Sequence, residues 1–245
     1  MKLVACISVV SLSLGLTGCI KEQNYAQVLS AGLSVLQAAT LKESEVKKTA
    51  QLSAFEMDKK SNVAPATSKY AKRLAKITKN LSQVDGIKLN YKVYLNKQLN
   101  AFAMPDGTVR VYSGLLDAMS DDQVLAVVGH EIGHVKLKHS YKQMKKEMLT
   151  GAAFQVAGAT TGAVGDLSSS QLGALAYKAV NAKFSQSDEL QADKYALGFL
   201  KKQGKQPSAM LEVIYAFQKE HGSSASFLSS HPSNKQRIDA IKKAL

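Results

Sequence analysis

With 245 residues, 45% apolar and 21% charged, the chain is long enough to bury a full core and too hydrophobic to be disordered; it shows no internal repeat. The formal charge of +13 invites a nucleic-acid reading. The lysines, however, are spread at helix-like spacing, no nucleic-acid motif accompanies them and an export signal opens the chain. Nucleic acid is therefore excluded as a partner, and a basic face toward anionic headgroups or acidic substrates is expected.

The leader MKLVACISVVSLSLGLTGC places Lys2 before an apolar stretch too short to span a membrane and closes on small residues, as a secretory signal does. Leu16, Thr17, Gly18 and Cys19 follow the order of a bacterial lipobox, so residues 1–18 are expected to be a signal peptide and Cys19 the acylated anchor to the membrane. Cys6 leaves with the signal, so neither a disulfide nor a free thiol remains. Ile20 is not the aspartate that retains lipoproteins at the inner membrane of enteric bacteria, which favours the periplasmic face of the outer membrane.

Residues 19–66 are expected as a lipid-anchored N-terminal helical arm and 67–245 as the main domain. The arm carries a helix from about Lys42 to Lys60 with Val46, Ala50 and Phe55 at helical spacing. Pro65 breaks the chain and Ser68 offers a fresh N-cap, after which Tyr70, Leu74, Ile77 and Leu81 share a face and the lysines between them are solvated. LNYKVYLN alternates as a strand, and Pro105, Asp106 and Gly107 turn a hairpin between Asn100–Met104 and Thr108–Tyr112, giving a small antiparallel sheet of about three strands.

Ser120 with Gln123 forms a capping box, with Asp121 and Asp122 at the positive end of the dipole, for a helix about twenty residues long. Gly129 and Gly133 on it cost about 1 kcal/mol each relative to alanine, so a close neighbour must offset them. The Ala-, Gly- and Thr-rich stretch from Thr150 through Val164 and on to Val180 is interrupted by Asp166, and is expected to form a close-packed helical hairpin rather than a membrane span. Helices follow from Ser187 to Lys202, from Pro207 to Gly222, and around Arg237, Ile238 and Ile241.

The run LAVVGHEIGHVKLKHS uses three of the five histidines. On a helix, residues four apart project from one face, so His130 and His134 reach one ion, and adjacent Glu131 is placed to take a proton from a water that a metal has acidified. Two ordinary histidines beside a surface glutamate explain the run equally well until context is added. His139 lies five beyond His134 and points away if the helix persists. Leu137 stands where a metzincin needs its bend glycine, so that class is rejected and His139 is read as a packing or hydrogen-bonding residue. In FSQSDELQADKYALGFL, Glu189 and Asp193 are again four apart; Glu189 suits a third ligand and Asp193 a hydrogen-bond acceptor for a ligand histidine, against the plainer reading of a solvated acidic face.

GHEIGHVKLKH followed by ELQAD resembles the zinc endopeptidases that include the CaaX prenyl proteases, HtpX and the mitochondrial Oma proteases. The likeness extends to the NAFAMPDG hairpin and to SHPSNKQRI, covering about Tyr70 to Leu245. It implies an α+β, mainly helical, gluzincin-like metallopeptidase with a small antiparallel sheet packed on the HExxH helix. It further implies one Zn2+ on His130, His134 and Glu189, Glu131 as general base, and Asp193 supporting a ligand. By the same likeness Asn100, Ala101, Phe102 and Ala103 form a substrate-binding edge strand, and His231 stands near the metal, either steadying an oxyanion or blocking the ion at rest. Gln191 departs from the glutamate of many relatives at a position that is not a ligand. The implied substrates are unfolded or membrane-associated proteins, with envelope proteases or assembly factors as partners. Two rivals remain at this stage: a non-proteolytic zinc-containing chaperone or assembly factor, and a basic membrane-surface module.

Overall fold

The computed structural model describes residues 41–150, 167–219, 226–233 and 235–245. The expected signal peptide, the expected lipid anchor at Cys19 and the 151–166 part of the expected hairpin lie outside the described residues. Helix α1 (Glu43–Lys60) carries acids in its first turn and lysines in its last, and buries a stripe of small residues including Ala50, Ser53 and Ala54. Phe55, read from spacing as part of the apolar face, is instead exposed, with the Lys59 ammonium 4.3 Å from its ring centroid. Helix α2 (Lys69–Ile77) starts at Ser68, whose side chain accepts from Ala71 N–H.

A hairpin of β1 (Gln83–Val84) and β2 (Ile87–Lys88) turns at Asp85 and Gly86, both at positive φ, as Asp-Gly pairs allow. The main sheet holds β3 (Asn90–Tyr94), β4 (Ala101–Ala103) and β5 (Thr108–Tyr112) in the order β3-β5-β4. The expectation of an all-antiparallel sheet is corrected here. The β4–β5 hairpin is antiparallel, but β5 returns into the slot beside β3 and runs parallel to it. Alternation of apolar residues is the same for either direction, so the sequence pattern could not distinguish them. β4 is left at the edge.

Both faces of this sheet are covered. Val93, Val109 and Val111 face a core built with helices α4 (Asp121–Lys136), α7 (Gln186–Lys202) and α8 (Ser208–Lys219). Tyr94, Phe102 and Met104 face a second core with α1, α5 (His139–Thr150) and α6 (Ser169–Asn181). On that side Arg110, 2% exposed, donates to both oxygens of Asp58 at 2.8 and 2.9 Å and ties α1 to the central strand.

Helix α3 (Ser113–Ala118) leads into α4, and Arg73 from α2 secures the junction by donating to Asp121 and to the carbonyls of Leu116 and Met119. α4 starts with the expected capping box of Ser120 and Gln123 and is buried throughout from Val124 to Val135. A Cβ on Gly129 would lie 2.5 Å from the Phe199 ring, and one on Gly133 about 3.1 Å from Tyr195, so the two glycines are what let α7 pack so closely. Helices α9 (Ser226–Ser230) and α10 (Lys235–Ala244) close the end of the domain. Among the described residues no helix is long and apolar enough to cross a membrane.

Candidate active site

Capping at both ends sets the rotation of the helices that carry the site. From Ser120, α4 carries His130 and Glu131 in its buried middle turns and His134 in its buried last turn. Ser185 and Asp188 form the capping box of α7, which puts Glu189 and Asp193 on its buried side. His231 enters from the segment after α9, where its N–H is held by Phe227 O at 2.8 Å.

The structure brings His130, His134, Glu189 and His231 together: one ligand-type atom from each lies within 4.8 Å of the others, and all four residues are buried. His130 and His134 face each other through Nε2 at 3.0 Å, and His134 Nε2 is 3.4 Å from Glu189 Oε1. His231 Nδ1 is 3.3 Å from His130 Nε2 and 3.0 Å from Glu189 Oε1. Tetrahedral ligands on bonds of about 2.0–2.1 Å stand roughly 3.3–3.4 Å apart, so two imidazoles, a carboxylate and a third imidazole at these separations fit one divalent ion. The rings are turned the right way for it. The other nitrogen of His130 lies 3.0 Å from Asp193 Oδ1, and that of His134 lies 3.1 Å from His139 Nδ1.

Glu131 is fully enclosed. Its Oε2 accepts from Ala103 N–H at 3.0 Å, which fastens it to the edge strand, and its Oε1 lies 3.4 Å from His231 Nε2. Burial raises its carboxyl above the usual range, against the pull of His231 and His130. Burial acts the same way on Glu189, but there the surrounding histidines outweigh it and hold the group well below the usual range. His134 is driven well below the usual imidazole range by burial. For His231 the burial effect is reversed by the charges of Glu131 and Glu189, and the net shift is upward.

Backbone pairing leaves the edge strand's outer side available. Met104 N–H bonds Thr108 O and Tyr112 N–H bonds Asn100 O, so Asn100, Phe102 and Met104 turn toward β5 while Ala101 presents N–H and C=O outward and Ala103 its C=O, its N–H being taken by Glu131. That edge is covered in this structure. Ala179, Val180 and Phe184 lie over it, together with Ser140 and Met144, and enclose a cavity of about 20 Å³ with Glu131 and His231. That is room for about one water.

Two residues of the site escaped the sequence reading. Arg237, 1% exposed, donates to both oxygens of Asp193 at 2.7 Å and reaches Glu189 Oε2 at 2.6 Å and the carbonyls of His231 and Pro232. A signal existed: the chain has 32 basic residues and only three are arginines, Arg73, Arg110 and Arg237, each spent on a planar, multiply bonded contact that lysine cannot make. Phe184 stacks on His134 with centroids 3.8 Å apart, and nothing in its local pattern announced that.

A buried pair of histidines one helical turn apart, a glutamate between them and a carboxylate from a second helix define a metallopeptidase centre. The profile of peptidase family M48 matches residues 68–245, and the chain belongs to that family; it is a metalloendopeptidase. It is 41% identical over 244 residues to metalloprotease LoiP of Escherichia coli (strain K12), covering 99% of this chain and 96% of the relative. It is 40% identical over 231 residues to metalloprotease YcaL of the same organism, covering 93% and 91%. The β-barrel assembly-enhancing protease of Escherichia coli is 27% identical over 178 residues, covering 67% of this chain and 36% of that protein.

Proposed function

We propose that the metal is zinc and that the chain is a lipid-anchored protease of the bacterial envelope, cutting unfolded or membrane-associated proteins. The observation that carries the chemistry is the convergence of His130, His134 and Glu189 at tetrahedral spacing beside an enclosed Glu131. Those three residues would hold the ion. A zinc ion there supplies Lewis acidity, drawing the pKa of water toward about 7 and polarising a peptide carbonyl.

Glu131 takes a proton from the attacking water and returns it to the departing amine; a carboxyl raised by burial is suited to both transfers. Asp193 Oδ1, 3.0 Å from His130 Nδ1, is the carboxylate toward which that nitrogen's proton would point, which turns Nε2 inward. Asn100 to Ala103 bind the substrate as an added strand, through the outward N–H and C=O of Ala101 and the C=O of Ala103. His231 completes a four-donor set in the closed arrangement and must leave it before water can enter.

Support for the location comes from the leader ending at Cys19, and from a relative named for β-barrel assembly, which also points to envelope assembly factors as partners. A chaperone that keeps zinc only for structure is the weaker reading, since its relatives include proteins named metalloproteases. Glu131→Gln decides between them: it should keep zinc and lose at least a hundredfold in cleavage of an unfolded protein. A purified variant that digests at the wild-type rate refutes the assignment. In the same assay His231→Ala should raise cleavage; if it instead strips the zinc, the structural reading gains.

A further inference from the structure

We propose that His139, itself held by Asp188, is a positioning residue for the metal centre: it fixes the ring of His134 so that Nε2 faces the ion. The inference rests on the metal reading above. In an unbroken helix, a residue five beyond His134 would lie about 140° around the axis. Here Leu137 caps α4, Lys138 adopts a left-handed φ of 62°, and α5 begins at His139. The break swings the His139 ring back over His134, with Nδ1 to Nδ1 at 3.1 Å and the rings edge to face at 69°. His139 is 2% exposed.

Two nitrogens at that distance share one proton, and the surrounding groups say where it sits. A nitrogen that ligates a metal must be bare, so a metal-facing Nε2 puts the His134 proton on Nδ1. His139 Nδ1 must then accept, which leaves its own proton on Nε2. Asp188 Oδ1 lies 3.3 Å from that nitrogen as its charge partner, and Gln191 is a further hydrogen-bond partner of the ring. Asp188 is in turn immobilised by the α7 cap, where Ser185 donates to Oδ2 from its hydroxyl at 2.7 Å and its N–H at 3.3 Å, leaving Oδ1 for the histidine. The chain Asp188–His139–His134 thus accommodates a bare, metal-facing Nε2 on His134. The two ligand histidines are thus anchored differently, His130 directly on Asp193 and His134 on Asp188 through an intervening imidazole.

The test measures zinc affinity of the purified chain by competition with a chromophoric chelator, the absorption spectrum after cobalt substitution, and thermal unfolding of metal-stripped protein. His139→Phe keeps the ring volume and removes the acceptor. Its zinc dissociation constant should rise about 10–100-fold and its cobalt bands should shift, while the metal-free melting temperature stays near wild type. His139→Gln, whose side-chain oxygen accepts from His134, should recover much of the affinity. Asp188→Asn should show a smaller loss in the same direction. If His139→Phe and Asp188→Asn both bind zinc within twofold of wild type with unchanged cobalt spectra, the inference is overturned; if His139→Phe does not fold, Asp188→Asn decides by the same criterion. A wild-type chain that takes up no zinc overturns the metal reading and this inference together, so the two failures are told apart.

Discussion

The two cores on either side of the sheet are built from different residues and do different things. The one that holds the donor atoms is dominated by branched and aromatic side chains: Val124, Val127, Val128, Ile132, Phe199, Leu200, Phe217 and Phe227 are all at most 3% exposed. The one that covers the edge strand is richer in methionine: Met104, Met144 and Met148 sit with Ala50, Ala54 and Ala176, beside Val46, Tyr94, Phe102 and three leucines. Branched side chains have few rotamers and lock their neighbours, whereas methionine adapts to irregular gaps. Stiff packing is therefore concentrated around the donor atoms, and more adaptable packing over the edge strand.

The sharpest way to break that contrast is Arg237→Met. It leaves Asp193 and Glu189 as buried carboxylates without their shared guanidinium, and should lower stability by about 3–5 kcal/mol, measured by urea unfolding of the metal-free chain. A loss below about 1 kcal/mol would show that the donor core is not fixed by this arginine. Next is Asp58→Asn on the covering side, which removes the charge facing Arg110 and Lys92 and should cost about 2–3 kcal/mol near pH 7. Burial acts to raise the Asp58 carboxyl, but hydrogen bonds from Arg110, Lys92 and Tyr94 hold it below its ordinary value. Its contribution is thus complete above the normal carboxylate range and fades as pH falls through the depressed folded value, so the gap between variant and wild type should close on acidification. A gap that widens in acid contradicts the assignment. The smallest effect is expected for Gly129→Ala, where a helix gain of about 1 kcal/mol is set against a clash with the buried Phe199 ring. A net loss of about 1 kcal/mol is expected, and a stabilised variant would show that the donor core yields more easily than its composition suggests.

Much of this was legible in the chain. Ser68 and Ser120 cap helices where their side chains can accept from backbone N–H groups, Gly129 and Gly133 mark a close helix approach, and Pro105 to Gly107 turn a hairpin. These are local effects, decided within a few residues. Strand direction is not local: nothing in LNYKVYLN says that β5 will run parallel beside it. The Asp85-Gly86 turn, by contrast, is local, an Asp-Gly pair at positive φ. The pattern reads His139 as a packing or hydrogen-bonding residue; which partner it meets depends on a helix break at Lys138 that helical periodicity does not announce. Arg237 meets Asp193 from 44 residues away, a pairing only the folded chain creates.

One rod, α7, carries Glu189 together with Asp188 and Asp193, the carboxylates on which both histidine anchors end. The centre consequently has a single mechanical coordinate, the seat of that rod against α4. A displacement there detunes all three carboxylates at once, so injury to this contact should register as leakage of the ion at temperatures where the rest of the molecule is still intact.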